Sequence, residues 1–579
     1  MELVGDCKPM AKDLFDFSFL TNLDGVKLGK DAIRIGRGIK ARRVYNDALA
    51  RYDHETAEAA ASAVRAGRNP QPIFERADRL RKERQEREAL LASPPPLHGS
   101  AHWASLDDLG TSVRGREAFD DPRSILLGAV VSEQNRLAGF LHWDDDGHLM
   151  TLAPTRTGKA VTTIIPNLLR YQGSCVVFDP KGELYRETSR WRSTLGPVYR
   201  IAPFDTGRDP RTRGWVSHSY NPLAFIERQS DARALADLML PKDPRSPAFF
   251  NKDGAAFLTA LIQYLLEEAP PPFRTIRSIV NAIGADVESF KSSLVKRMAA
   301  ARNPSIRDVA NNVLGKSGAT GLPNLRDTLQ SELALWSDEG VLAATDRNEV
   351  DFRRLKDETA TVYIEVPFNL IDPYAPVFRV ILQAALDAMI QNPNVPDIPV
   401  LFVLDEFLAL QEFPKMQAAI RTHAGAGVRL WFFLQDLGTL QQNYPGASWQ
   451  AFFNCSVKQF FGTDEFFTAE LISKQLSNRT VAYRGISETS NLSSNAGADS
   501  GSYGFNSSTA ENITFMGRPL MTPEEVIDEL SAWQPGGTRH SIVRLRNPPH
   551  PIRVRLASYE NSPICMQRRG ALVREGNDT

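Results

Sequence analysis

No stretch of this chain approaches the roughly 18–20 consecutive apolar residues that a bilayer-spanning helix needs, so the sequence by itself reads as soluble. The opening Met1-Glu-Leu-Val-Gly-Asp6 lacks a basic start followed by an apolar run, which argues against a secretory signal. Cysteine is scarce. Cys7, Cys175, Cys455 and Cys565 lie far apart and form no metal-ligand spacing. Cys175 and Cys455 sit in apolar runs and read as small core residues, a usage that suits a reducing cytosol. An excess of one charge is also missing. Lys and Arg number 68 against 69 Asp and Glu, a formal net charge of −1. No global field therefore draws the protein to nucleic acid or an anionic membrane, and any polyanion binding needs local patches. What the chain does have is size. At 579 residues and 42% hydrophobic it supports a large core and roughly two to four domains.

Residues 1–97 read as a polar helical extension and linker. Within Phe74–Leu91, basic and acidic residues interleave three or four apart, as on a solvated helix laced with ion pairs. Pro94-Pro95-Pro96 ends it. Residues 98–225 alternate strand and helix, the first part of a nucleotide-binding domain. Leu149–Leu152 is a short strand, and Ser174–Phe178 is a buried strand ending in Asp179. Lys159–Leu169 carries a helical apolar stripe with Pro166 inside it, where a kink is expected. Over 226–345 strand signals disappear, and the stretches Ala248–Glu268, Arg277–Ala300 and Leu325–Ala344 suggest an all-α insertion. Residues 346–579 return to strands: Thr361–Val366, Val400–Leu404, Arg429–Leu434 and Val457–Phe461. Alternating strands and helices give an α/β fold with a mainly parallel sheet covered on both faces. Residues 486–514, rich in Ser, Asn, Gly and Thr, read as a flexible loop.

The chemistry concentrates at strand ends. Ala153-Pro-Thr-Arg-Thr-Gly158-Lys159 lies between a strand and a helix, where backbone amides, a helix N-terminus and a lysine converge on phosphate oxygens. Thr155, Arg156, Thr157 and Gly158 supply the turn amides, Lys159 reaches the β- and γ-phosphates, and Ala160 opens the helix. Ala153 replaces the first glycine of the usual pattern and Ala160 its hydroxyl residue. Asp405 and Glu406 end a hydrophobic strand, where carboxylates hold Mg²⁺ and activate water. Asp405 is the candidate metal ligand and Glu406 the candidate general base. Both motifs fall at carboxyl ends of expected strands, where open α/β sheets bind ligands, so ATP with Mg²⁺ is the expected ligand. Gln435 ends a third strand and is placed to sense hydrolysis. Asn454 is a further candidate. A plain strand cap is the alternative for both.

These motifs together resemble the type IV secretion coupling proteins, TraG-like ATPases of conjugative DNA transfer. The segments that carry the resemblance are His98–Ala104, Ala153–Lys159 with Ile165-Pro-Asn-Leu-Leu169, Asp179-Pro-Lys-Gly-Glu183, Tyr220-Asn-Pro-Leu223, Leu404-Asp-Glu-Phe407, Leu434-Gln-Asp436, Phe461-Gly-Thr-Asp464 and Arg518-Pro-Leu520. The resemblance covers about residues 98–560. It implies a RecA-like P-loop core with an inserted all-α domain, a homo-hexameric ring, and nucleotide between neighbouring subunits. It further implies a DNA, relaxase-type nucleoprotein or effector protein substrate, and type IV secretion channel subunits as partners. The location expected is the cytoplasm, or the periphery of the bacterial inner membrane.

Three departures stand out. The family usually begins with transmembrane helices, and residues 1–97 contain none. It usually has an arginine where this chain has Ala424, so Arg421 is the nearest substitute for a trans-acting cation. Ala153 restricts a turn that glycine would leave free. Separately, residues 539–569 hold arginines at 539, 544, 546, 553, 555, 568 and 569 with the single acid Glu560. Strand alternation would align some of them into a phosphate-contacting face, or into a solvated outer face. Two other functions use the same sites: a nucleotide-gated substrate adaptor without productive hydrolysis, and a cytosolic DNA-translocating motor unrelated to secretion.

Overall fold

A computed structural model describes residues 27–115, 120–131, 136–240, 248–315, 321–495, 502–534 and 536–572. The chain divides into two compact units. One takes the described residues up to Ser100 and those of Arg479–Arg518, and the other takes Ala101–Asn478 with the described residues from Pro519 onward.

The second unit is built on one sheet. Its strands in chain order are β1 (Val113–Arg114), β2 (Ile125–Val131), β3 (Leu137–Trp143), β4 (Leu149–Leu152), β5 (Cys175–Asp179), β6 (Val198–Ile201), β7 (Thr361–Glu365), β8 (Val400–Leu404), β9 (Val428–Leu434) and β10 (Val457–Phe460). The order across the sheet places β10, β4, β9, β8, β5, β7 and β6 side by side, all parallel. The apolar runs that mark these strands are continuous because both faces are covered. Period-two alternation sorts each strand between two cores. Val176, Phe178, Phe402 and Leu404 point into one, and Cys175, Val177, Leu401 and Val403 into the other. Cys175, Cys455 and Cys565 are buried free thiols.

Between β6 and β7 the described residues form helices and turns only, including Gln229–Met239, Ala248–Glu268, Pro304–Gly315 and Gly321–Glu332. The apolar faces of these helices join the first of the two cores. The expected helix over Arg277–Ala300 is instead segmented. It runs as Ile276–Gly284, then a short turn, a π-helical stretch Phe290–Val295 and Lys296–Ala299. Asp286 caps the restart by accepting from the Ser289 amide at 3.0 Å, which breaks the continuous helix. Residues 316–320 lie outside the described residues.

In the first unit, helices Lys27–Leu49 and His54–Arg65 pack through Ala41, Ala61 and Val64. The charged helix Gln71–Ala92 buries no residue, as a solvated helix does, and Lys82 lies 3.9 Å from Glu86 along it; residues 1–26 lie outside the description. The segment expected as a flexible loop at 486–514 differs. Two strands, β11 (Asn478–Asn495) and β12 (Ser502–Pro519), pair with each other. Thr, Tyr and Phe are frequent enough in these segments to favour an extended chain despite the polar composition. Residues 496–501 lie outside the description. The remaining strands, β13 (Trp533–Gln534), β14 (Thr538–Leu545) and β15 (Ile552–Ala557), extend the large sheet beyond β10. β14 runs antiparallel to β10. Among the described residues, no helix is long and apolar enough to cross a membrane.

Candidate functional site

The parallel register brings the chemistry to one edge. Leu152 pairs with Leu434, Leu404 with Phe432, and Phe178 with Leu404. The phosphate-loop segment, Gln435, Asp405-Glu406 and Asp179 therefore leave adjacent strands at the same carboxyl edge, where helix N-termini and turn amides also gather.

The loop after β4 is anchored at both ends. Its first residue, Ala153, is fully buried and donates its amide to the Leu434 carbonyl at 2.9 Å. Thr157 Oγ1 donates to the Pro154 carbonyl at 2.6 Å, and Thr162 Oγ1 donates to the Gly158 carbonyl at 2.9 Å. Gly158 turns with φ 85° and Arg156 with φ 61°. Ala160 opens a π-helical turn, Ala160–Ile164, before the α-turn Ile165–Leu168. Pro166 falls within the first two positions of that α-turn, where a missing amide costs little. The expected kink is therefore taken up by the wider π turn.

Lys159 is buried and its ammonium lies 3.5 Å from Glu406 Oε1 and 4.0 Å from Asp405 Oδ1. Lys181 approaches the same Glu406 oxygen at 3.9 Å. Glu406 is 1% exposed and adopts a left-handed backbone, φ 52°, a conformation that strains a non-glycine residue by about 1 kcal/mol or more. The strained turn aims the carboxylate inward between the two lysines. Asp405 Oδ1 and Glu406 Oε2 are buried and have no hydrogen-bond partner. Burial pushes the Asp405 carboxyl up to about 6, against the pull of Lys159 and with the repulsion of Glu406. Unsatisfied carboxylate oxygens of this kind are hard donors suited to a divalent cation.

Asp179 extends the cluster. Burial first and then the repulsion of Glu365 push its carboxyl up to about 7. Its Oδ2 accepts from the Tyr185 amide at 2.8 Å. Glu365, level with it on β7, is gripped by Arg200 at 2.6 and 2.9 Å. Sequence reasoning marked Asp179-Pro-Lys-Gly-Glu183 only as a matching segment. The signal that Asp179 and Lys181 join the site was their place at a strand end.

Gln435 is half-buried beside the loop. Its neighbour Asp436 is a helix cap, accepting from the Thr439 amide at 2.7 Å. Asn454 does not reach this site. It ends the turn Ser448–Asn454 ahead of β10, and Val457 pairs with Leu149 at the amino edge of the parallel strands, the far side of the sheet. Ala424 and Arg421 also precede their strand, β9, and share that far edge. The C-terminal arginines are largely engaged. Arg568 forms two short bonds to Asp120 at 2.5 and 2.6 Å, Arg569 pairs with Glu187 at 3.2 Å, and Arg553 stacks over Trp103 at 4.1 Å. Among the described residues, no group of three or more His, Cys, Asp or Glu side chains is arranged to hold a metal ion by itself.

The family described as Type IV secretory system Conjugative DNA transfer matches residues 113–571. Protein VirD4 of Rhizobium rhizogenes is 28% identical over 479 residues, which covers 80% of this chain and 65% of that protein. Protein VirD4 of Agrobacterium fabrum is 29% identical over 403 residues, 67% of this chain and 58% of that protein. The chain thus spans less than two thirds of the length of these relatives. Among solved structures, bacterial conjugative coupling protein TrwBdeltaN70, trigonal form in complex with sulphate, superposes with a TM-score of 0.53 at 15% identity, covering 83% of this chain and 98% of that one. Plasmid coupling protein TrwB in complex with ADP and Mg²⁺ gives 0.51 at 14% identity, 80% of this chain and 97% of that one. At such identity the likeness establishes the shared fold, a mostly parallel α/β sheet of the RecA-like P-loop kind with flanking helices.

Proposed function

The chain belongs to the type IV secretory system conjugative DNA-transfer family, and from that premise we propose that it binds and hydrolyses ATP to deliver DNA, a relaxase-type nucleoprotein or an effector protein to a type IV secretion channel. The observation that carries the reading is the convergence of the Lys159 ammonium on the buried Asp405 and Glu406 carboxylates, at 4.0 and 3.5 Å, at the carboxyl edge of the sheet. The amides of Thr155, Arg156, Thr157 and Gly158 cradle the phosphates, Ala160 lies at the base of that cradle, and Lys159 transfers its ammonium from the acids to the terminal phosphates. Asp405 holds Mg²⁺, which when bound neutralises charge on the phosphate oxygens. Glu406 accepts the proton of the attacking water, and Gln435, one strand away, contacts the terminal phosphate and passes its loss to the neighbouring helix. In a homo-hexameric ring, Arg421 faces the adjacent subunit from the far edge of the sheet and supplies the trans cation. The protein works in the cytoplasm or at the inner membrane periphery, against channel subunits.

Turnover of Mg-ATP by the purified chain, with and without single-stranded DNA, tests this. Lys159→Ala should lower the rate on the order of 100-fold or more. A wild-type rate no higher than that of Lys159→Ala would sink the hydrolytic reading. A second reading is favoured by Ala160, which offers no hydroxyl, and by Ala424, which offers no guanidinium: a nucleotide-gated adaptor that binds ATP without turning it over. It predicts substrate capture that depends on nucleotide and survives in Glu406→Gln. Robust wild-type turnover excludes it.

A further inference from the structure

Lys159 and the acids occupy one flank of the phosphate loop. The other flank, toward β10 and β14, holds a buried arginine. Arg539, on β14, is 3% exposed, and its Nε and Nη1 have no hydrogen-bond partner. Its remaining bond runs from Nη2 to the Ser531 carbonyl at 3.1 Å. A buried guanidinium with two unmet donors is costly. Burial lowers its pKa, opposed by Asp464.

The position of this guanidinium is defined by Gly462, which follows β10 with φ 75°. A Cβ built on Gly462 would collide with Thr157 Cγ2 and would lie 2.6 Å from both Thr157 Cβ and Arg539 Nη1. The guanidinium therefore stands beside the phosphate-loop residue Thr157, across a gap that only glycine leaves open. Thr463, one residue on, is 1% exposed and its hydroxyl has no partner. Above this cradle sits Trp533. Its ring lies 4.7 Å from the Arg539 guanidinium carbon, and a Cβ on Gly158 would fall 2.8 Å from it. Trp533 is 43% exposed, so solvent reaches its outer face. One aromatic ring thus bridges the phosphate-loop glycine and the unpaired arginine.

We propose that Arg539 is a second polyphosphate-binding cation, reaching the nucleotide from the β14 flank of the phosphate loop, and that Trp533 covers this cradle until nucleotide fills it. The proposal rests on the nucleotide-binding reading above. The acids leave β8, two strands from β4 on one side, while Arg539 lies beyond β10 on the other. The two cations therefore grip different parts of one phosphate chain. A planar guanidinium with two free donors fits bidentate contact with phosphate oxygens.

The test uses the full chain with Mg-ADP as probe, followed by calorimetry and by tryptophan emission. Arg539→Gln should weaken Mg-ADP binding about tenfold or more, with its nucleotide-free melting temperature recorded to establish folding. Trp533→Phe should remove the part of the Mg-ADP-induced emission change that belongs to the covering ring. A folded Arg539→Gln that binds Mg-ADP as wild type does overturns the proposal and leaves the nucleotide-binding reading standing. Should Arg539→Gln not fold, the emission experiment decides. A wild-type change fully retained in Trp533→Phe overturns the proposal, and its loss supports it. Wild-type protein that binds no Mg-ADP overturns both readings together.

Discussion

The Lys159 ammonium is held 3.5 Å from Glu406 Oε1, and Lys181 shares that oxygen at 3.9 Å. The phosphate-loop lysine therefore has an acidic partner inside the chain before any phosphate arrives. Nucleotide bound as proposed would displace a buried carboxylate from it, and the same carboxylate is the candidate base. Binding and chemistry are thus opposed at one oxygen.

That opposition predicts the behaviour of Glu406→Gln. A neutral amide competes less for Lys159, so Mg-ATP should bind several-fold more tightly. Turnover should fall by on the order of 100-fold, because the proton acceptor is gone. Calorimetry and phosphate release measured on the same preparation check both halves. Affinity equal to or weaker than wild type would show that the Lys159–Glu406 contact does not restrain the loop.

The acidic cluster sets a pH dependence. The carboxyls of Asp405 and Asp179 are raised to about 6 and about 7, above the ordinary value of about 4. The folded state holds these protons where the unfolded chain has released them. Their stability contribution is therefore complete below about pH 4 and is lost as pH rises through 6 and 7. Asp179→Asn keeps an oxygen to accept from the Tyr185 amide and removes the charge. The nucleotide-free variant should melt higher than wild type at pH 8, with the gap shrinking toward pH 4. Melting curves that stay parallel across this range would contradict the assignment.

Much of the fold was legible because its central strands are short, apolar and end in polar residues. Cys175–Asp179, Val400–Leu404 and Val428–Leu434 stand out for this reason, and Asp405-Glu406 and Gln435, after the second and third of them, marked the site. The antiparallel strands β2 and β3 went unread. Glycines interrupt both, and the β2 register shifts between Leu126 and Gly128, so neither shows a clean alternation. The long helix Ile371–Gln391 was hidden by Pro376 within it. Arg539 and Trp533 were unreadable as a pair, because only the β14–β10 pairing decides which of seven arginines faces the phosphate loop.

Gly158 should tolerate no side chain. Its φ is 85°, and an added Cβ would lie 2.8 Å from the Trp533 ring. Gly158→Ala should cost on the order of 1–3 kcal/mol of stability and abolish measurable Mg-ADP binding. Gly158→Ala/Trp533→Ala relieves the collision but not the backbone strain, so it should recover only part of the melting temperature. Full recovery would locate the whole penalty in the ring contact, and wild-type behaviour of the single variant would refute the geometry.

The C-terminal arginines should separate into two groups. Arg568 holds Asp120 at 2.5 and 2.6 Å, donates to the Leu169 carbonyl at 2.9 Å, and stacks on Trp191 at 3.9 Å. Removing it strands a carboxylate and a carbonyl just after the first helical turns of the phosphate-loop helix. Arg568→Ala should cost about 2 kcal/mol and lower DNA affinity only as far as unfolding does. Arg546 is exposed, and its guanidinium donates to the Asn454 carbonyl at a long 3.4 Å. Arg546→Ala should leave the melting temperature within about 1 °C, because surface substitutions change stability little. If the strand face does meet phosphate, the same variant should also flatten the salt dependence of single-stranded DNA binding by about one contact. An unchanged salt slope would leave Arg546 as a solvated outer residue, and would turn the search for a DNA contact toward other surfaces of the protein.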